Sequence, residues 1–132
     1  MIDGSQRETW VEMIEYFDGW EKDLYKDFCA LVVKPASESI YARYFFASQS
    51  LAYLIISTKK QWPDRMIAHH ILINPYLIEK TVEIQFFDAP AHRGDRGKCK
   101  TQVSCSYQEA WSQLEKVLAE MIVYSDFNTG SK

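Results

Sequence analysis

Met13, Phe17, Trp20, Leu24, Phe28 and Leu31 recur at steps of three and four, the period of one helix face. Ser5-Gln6-Arg7-Glu8 ahead of them reads as a capping box, in which a serine and a glutamate three residues on satisfy each other's amides. The spacing predicts a long helix from Ser5, kinked or divided near Gly19, because glycine costs about 1 kcal/mol against alanine in a helix interior. Pro35 predicts its end, since proline disfavours helical geometry at the residue before it.

The period then changes. Residues 39–47 and 51–58 are rich in Tyr, Phe, Ile and Leu, the residues that suit a pleated, half-buried surface. The polar Ser48-Gln49-Ser50 between them predicts a hairpin turn. Ile40, Tyr44, Ala47, Leu51 and Leu54 also fit a helical stripe, so a helix competes for this stretch. A turn at Trp62-Pro63-Asp64 precedes a third strand over 65–73, which Asn74-Pro75 ends. Over 81–88, Val82, Ile84 and Phe86 alternate with Glu83 and Gln85, the two-residue period of a strand. After a loop over 89–98, residues 100–106 alternate again through Val103 and Cys105. A closing helix from Ser106 or Tyr107 carries Ala110 or Trp111, Leu114, Val117 or Leu118, and Met121 on one face. Helix, about five consecutive strands and helix predict an α+β fold over 1–132 as a single domain. Short connections favour an antiparallel sheet, with the long N-terminal and the C-terminal helix on one face.

Composition narrows the class. The chain has 132 residues, 47% hydrophobic and 14% aromatic, with a net charge of −3. That balance argues against general nucleic-acid binding, which needs a basic surface. No apolar stretch approaches the roughly 20 residues of a membrane span, and no basic start followed by an apolar segment marks a secretion signal. Three cysteines, Cys29, Cys99 and Cys105, form an odd set that suits a reducing compartment. A cytoplasmic protein with no membrane and no nucleic-acid partner is expected.

Candidate chemistry is sparse. His69 and His70 are adjacent, so in a strand they point to opposite faces and cannot chelate one ion. His92, Cys99 and Cys105 lack the close pairs of a zinc site. The basic loop over 92–100 holds Arg93, Arg96, Lys98 and Lys100 with two glycines but lacks the glycine order of a phosphate-binding loop. It reads as a solvated connection, and its Arg93-Gly94-Asp95 as a coincidental match to an adhesion tripeptide. No nucleophile, base and oxyanion donor form a readable set. No catalytic residue, metal or cofactor is expected.

Charge, by contrast, is segregated. Residues 1–30 hold Asp3, Glu8, Glu12, Glu15, Asp18, Glu21, Asp23 and Asp27 against Arg7, Lys22 and Lys26, while the cations concentrate over 34–100. Glu8, Glu12 and Glu15 fall on one helix face and repel by a few tenths of a kcal/mol per pair unless a cation intervenes. The cation can come from the basic sheet and loop or from another molecule. In size, acidity and helix–sheet organisation the chain resembles the small cognate immunity proteins of bacterial toxin and contact-dependent inhibition systems. The resemblance implies an inhibitor that binds a toxin domain, such as a nuclease. On that reading Glu8, Glu12, Glu15 and Asp18 are the expected partner contacts. Two alternatives stand beside it: a secretion-chaperone-like dimer that holds an effector segment, and a small-molecule or enzymatic site around His69, His70 and Tyr53.

Overall fold

The computed structural model describes residues 4–19, 22–50, 53–60, 68–88 and 99–125. Helix α1 runs Ser5–Gly19, after Gly4 at φ 95°, a left-handed conformation that glycine adopts without steric cost. Helix α2 spans Lys22–Phe28, followed by a π turn over Cys29–Val33 and helix α3 over Lys34–Glu38. A 3-10 turn, Ile40–Arg43, leads into the sheet. Its strands are β1 Phe46–Ser50, β2 Tyr53–Ser57, β3 His70–Tyr76, β4 Thr81–Phe87 and β5 Cys99–Ser106. Helix α4, Tyr107–Ser125, follows β5 directly. The sheet is antiparallel in the order β1-β2-β3-β4-β5. The expected α+β architecture, five antiparallel strands with an N-terminal and a C-terminal helix, is therefore present.

Alternation decides which face is buried. Paired residues share a face, so the registers line up Ala47, Ile56, Ile71 and Phe86 in one row and Leu54, Ile73 and Ile84 in the next. All are buried, together with Trp10 and Phe17 of α1, Phe28, Cys29, Val32 and Val33, and Ala110, Leu114, Leu118 and Met121 of α4. The helices thus cover one face, and the π turn lies between α1 and α4. Phe17 stands edge-on to Phe28 with centroids 5.3 Å apart, a favoured aromatic geometry. Ile55, Ser57 and His70 are also buried, on the opposite face.

Four sequence expectations shift. The helical stripe changes phase after Gly19: Leu24 is 46% exposed and Tyr25 only 4%. Because α1 and α2 are separate helices, the apolar positions of one do not extrapolate into the other. Helical structure also continues through Pro35. Lys34 keeps φ −63° and ψ −48°, and its N–H donates to Cys29 O, the wider i→i+5 bond of a π turn. Pro35 then lies in the first turn of α3, where a missing N–H is tolerated, and the wider turn relieves the usual clash of its ring with a preceding carbonyl.

The hairpin of 39–58 exists but is displaced. Residues 40–43 form the 3-10 turn, whereas Ser48, Gln49 and Ser50 are strand, paired with Ile55, Leu54 and Tyr53. The connection therefore falls after Ser50, outside the described residues. An edge strand is accessible to water on its outer side and accepts polar residues that read as a turn in sequence. Pro75 and Asn74 lie inside β3, opposite Val82 and Glu83, rather than ending it. Among the described residues pairing with β2 stops at Ile73, so no described strand faces the side of Pro75 that lacks a donor, as proline requires. Of the third strand expected over 65–73, residues 65–67 lie outside the described residues, as does the turn at 62–64.

Candidate functional site

Helix α1 has two faces with different tasks. Inward, Gln6, Thr9, Trp10 and Phe17 are buried. The Trp10 Nε1–H donates to Phe45 O at 2.9 Å, and the Ala47 N–H donates to Thr9 Oγ1 at 2.9 Å. The Thr9 hydroxyl in turn donates to Gln6 O at 2.6 Å. These bonds satisfy backbone groups at the β1 edge, which buried polar groups require, and they fix α1 to the sheet.

Outward, Glu8, Glu12, Glu15 and Asp18 are all exposed, with Arg7 and Val11 among them. Positions 8, 12, 15 and 18 are successive steps of four, three and three, and 11 lies three from 8 and four from 15, so they form one continuous stripe. Val11 is 57% exposed, an apolar side chain within an acidic strip. Periodicity could have placed it there, since it is three residues from Glu8, but the apolar pattern draws attention to the buried stripe instead. Among the described residues no Lys, Arg or His pairs with the four acids. The ion pair that does join the acidic N-terminal region to the sheet is Lys80 with Asp27, between the β3–β4 turn and α2. Lys80 holds the Asp27 carboxyl below its ordinary value, by its hydrogen bond first and its charge second. Both side chains are about half exposed, so the pair adds little to stability.

The two histidines separate as their adjacency implies. His69 turns to Phe86, on the helix-covered side, and its Nδ1 lies 2.8 Å from Asp88 Oδ1. His70 lies on the opposite face, stacked on its cross-strand neighbour Phe87 with centroids 5.1 Å apart and planes 11° apart. Its Nδ1 lies 2.9 Å from Ala68 O. A carbonyl only accepts, so Nδ1 carries the proton and Nε2 is left as the acceptor. Burial pushes the His70 pKa down, against a raising effect of the Ala68 bond and a lowering one of His69. Burial therefore favours the neutral form of the His70 imidazole.

Ser57 is directly opposite His70, which places a hydroxyl beside a base. Its Oγ, however, accepts from the Lys59 N–H at 3.1 Å, and among the described residues no hydrogen bond joins it to His70. The geometry lacks the nucleophile–base bond of an activated serine. Tyr53 is half-buried on the same face, two residues before Ile55.

The cysteines are dispersed. Cys29 is fully buried, with its thiol 3.9 Å from Ile14 O, and burial raises its pKa. Cys105 is half-buried opposite Val82, and burial raises it too. Cys99 is exposed at the start of β5. No group of three or more potential metal ligands occurs among the described residues. His92 and the basic loop up to Lys98 lie outside them. No described helix is long and apolar enough to cross a membrane. No protein-family model matches the chain, and no curated protein or solved structure matches it significantly.

Proposed function

We propose that the chain is a protein-binding inhibitor, an immunity protein that neutralises a cognate bacterial toxin domain through the outer face of α1. The observation that carries this reading is the arrangement of Glu8, Glu12, Glu15 and Asp18, exposed together and paired with no described cation. Like charges at these spacings cost a few tenths of a kcal/mol per pair, a cost that a basic partner removes. Val11 supplies an apolar contact inside that charged strip, as interfaces place a desolvated centre within a polar rim. The Trp10 and Thr9 bonds hold α1 on the sheet, so little order is lost when the face engages. A basic enzyme such as a nuclease suits the charge, because long-range attraction accelerates association. The reading places the protein in the cytoplasm of a bacterium.

The test is calorimetric binding to the C-terminal domain of a toxin encoded beside this gene, with Glu8→Lys/Glu15→Lys as the informative variant. Affinity should fall about tenfold or more, and its dependence on salt should flatten, as expected when steering charges are reversed. Binding that is unchanged by the double substitution would remove α1 from the interface. Absence of any binding to the neighbouring product would end the immunity reading itself.

A further inference from the structure

The two edges of the sheet are finished differently. In an antiparallel sheet successive residues send their N–H and C=O alternately to one neighbour and the other. The Tyr107 N–H donates to Lys80 O at 3.0 Å. Stepping back by twos along the β4–β5 register, Val82 with Cys105 and Ile84 with Val103 are the bonded pairs. The same alternation, carried strand by strand through the registers, turns Phe45 and Ala47 away from β2. Those are the two residues whose backbone groups Trp10 and Thr9 satisfy. The phase set at one edge therefore agrees with bonds seen at the other.

At β5 that phase leaves the N–H and C=O of Gln102 and Ser104 directed away from β4, and no described group bonds them. Among the described residues the edge is guarded only at its start, where Lys100 and a register shift opposite Phe86 and Phe87 interrupt pairing. From Thr101 to Ser106 it carries no charge and no proline. Such an edge is a template for a further strand.

We infer that β5 pairs with β5 of a second copy of this chain, antiparallel about a two-fold axis at Val103. Val103 is the midpoint of 100–106, so this register overlaps that whole run. Gln102 of each chain then exchanges backbone hydrogen bonds with Ser104 of the other. Val103 meets its own copy as a non-bonded pair, the closer kind of cross-strand pair. Thr101 faces Cys105 and Lys100 faces Ser106, so no like charges are opposed, which self-pairing requires. A charged foreign strand would find no countercharge on 101–106. The result is a continuous ten-stranded sheet with an α1 face at each far end, because α1 covers the β1 edge. The inference is independent of what α1 binds.

Light scattering of the full chain over a wide concentration range should show a reversible dimer. Ser104→Pro removes an outward donor, and Gln102→Lys/Ser104→Lys opposes like charges on two exposed side chains, a lysine at 102 keeping a donor for Glu83, which Gln102 now bonds. Each should weaken dimerisation about tenfold or more, with circular dichroism unchanged in the lysine variant. Val103→Cys in a Cys99→Ser background should form a 103–103 disulfide between copies on mild oxidation, identified by mass spectrometry. A chain monomeric at every concentration overturns the proposal. So does a dimer that resists both edge variants and forms no 103–103 bond. Protection of β5 amides from exchange only on adding a foreign extended peptide would assign the edge to that peptide and overturn self-pairing.

Discussion

Thr9 shows how one side chain couples helix to sheet. Its hydroxyl accepts from the Ala47 N–H and donates to Gln6 O, and the residue is buried. Thr9→Val keeps the shape but leaves a buried donor without its acceptor, so stability should fall by about 2 kcal/mol, within the usual range for an orphaned buried group. Thr9→Ser should retain most of it; urea denaturation measures both. His70 makes the second residue-scale case. Its pKa is lowered in the folded state, chiefly by burial, so the unfolded chain binds the proton more tightly. The stability that His70 contributes is full above its unfolded pKa, about 6.5, and is lost as pH falls through the lower folded value. Unfolding free energy should therefore decline as pH falls below about 6.5, and His70→Asn should flatten that slope.

At the scale of elements, the helical N-terminal region is divided by its joints. Gly19 ends α1 without a positive φ, and a Cβ placed there meets nothing within 4 Å. Gly19→Ala should stabilise the protein by about 0.5–1 kcal/mol, by restricting the unfolded chain without strain in the folded one; a raised thermal midpoint would show it. The π turn is the second joint. It lets Cys29, Val32 and Val33 all reach the core while helical structure proceeds into Pro35. Among the strands, β3 and β4 are internal, and their alternation of buried and partly exposed residues is the clearest in the chain. β1 and β5 are edges and more polar.

For the whole molecule, the distribution of charge and the unequal edges set how it meets others. The acidic face lies on the helix that packs against the β1 edge, and β5, at the other side of the sheet, is covered by no described strand. Reversal of charge on α1 should change partner affinity and leave self-association unaltered, whereas substitution along β5 should do the opposite. Measuring both properties in both sets of variants separates the two surfaces, since sites without shared contacts act independently.

Periodicity by itself determined the order of elements, the interior faces of β4 and α4, and the exposed alignment of Glu8, Glu12, Glu15 and Asp18, because those follow from local geometry of 2.0 and 3.6 residues per repeat. The separation of His69 from His70 followed for the same reason. Only the tertiary structure decided the rest. Leu24 and Tyr25 exchange the roles that the stripe of α1 would give them, because the burial of α2 depends on its own packing. Ser48-Gln49-Ser50 becomes strand because β2 is there to pair with it, and Pro75 lies within β3 where no described residue of β2 pairs with it. The difference between the edges is likewise long-range: Trp10 and Thr9 read as ordinary helix residues until folding places them against Phe45 and Ala47, while among the described residues nothing comparable reaches Gln102 and Ser104. Local periodicity fixes which way a side chain points. What it meets depends on contacts between residues far apart in the chain, and those set which surfaces are left for a partner.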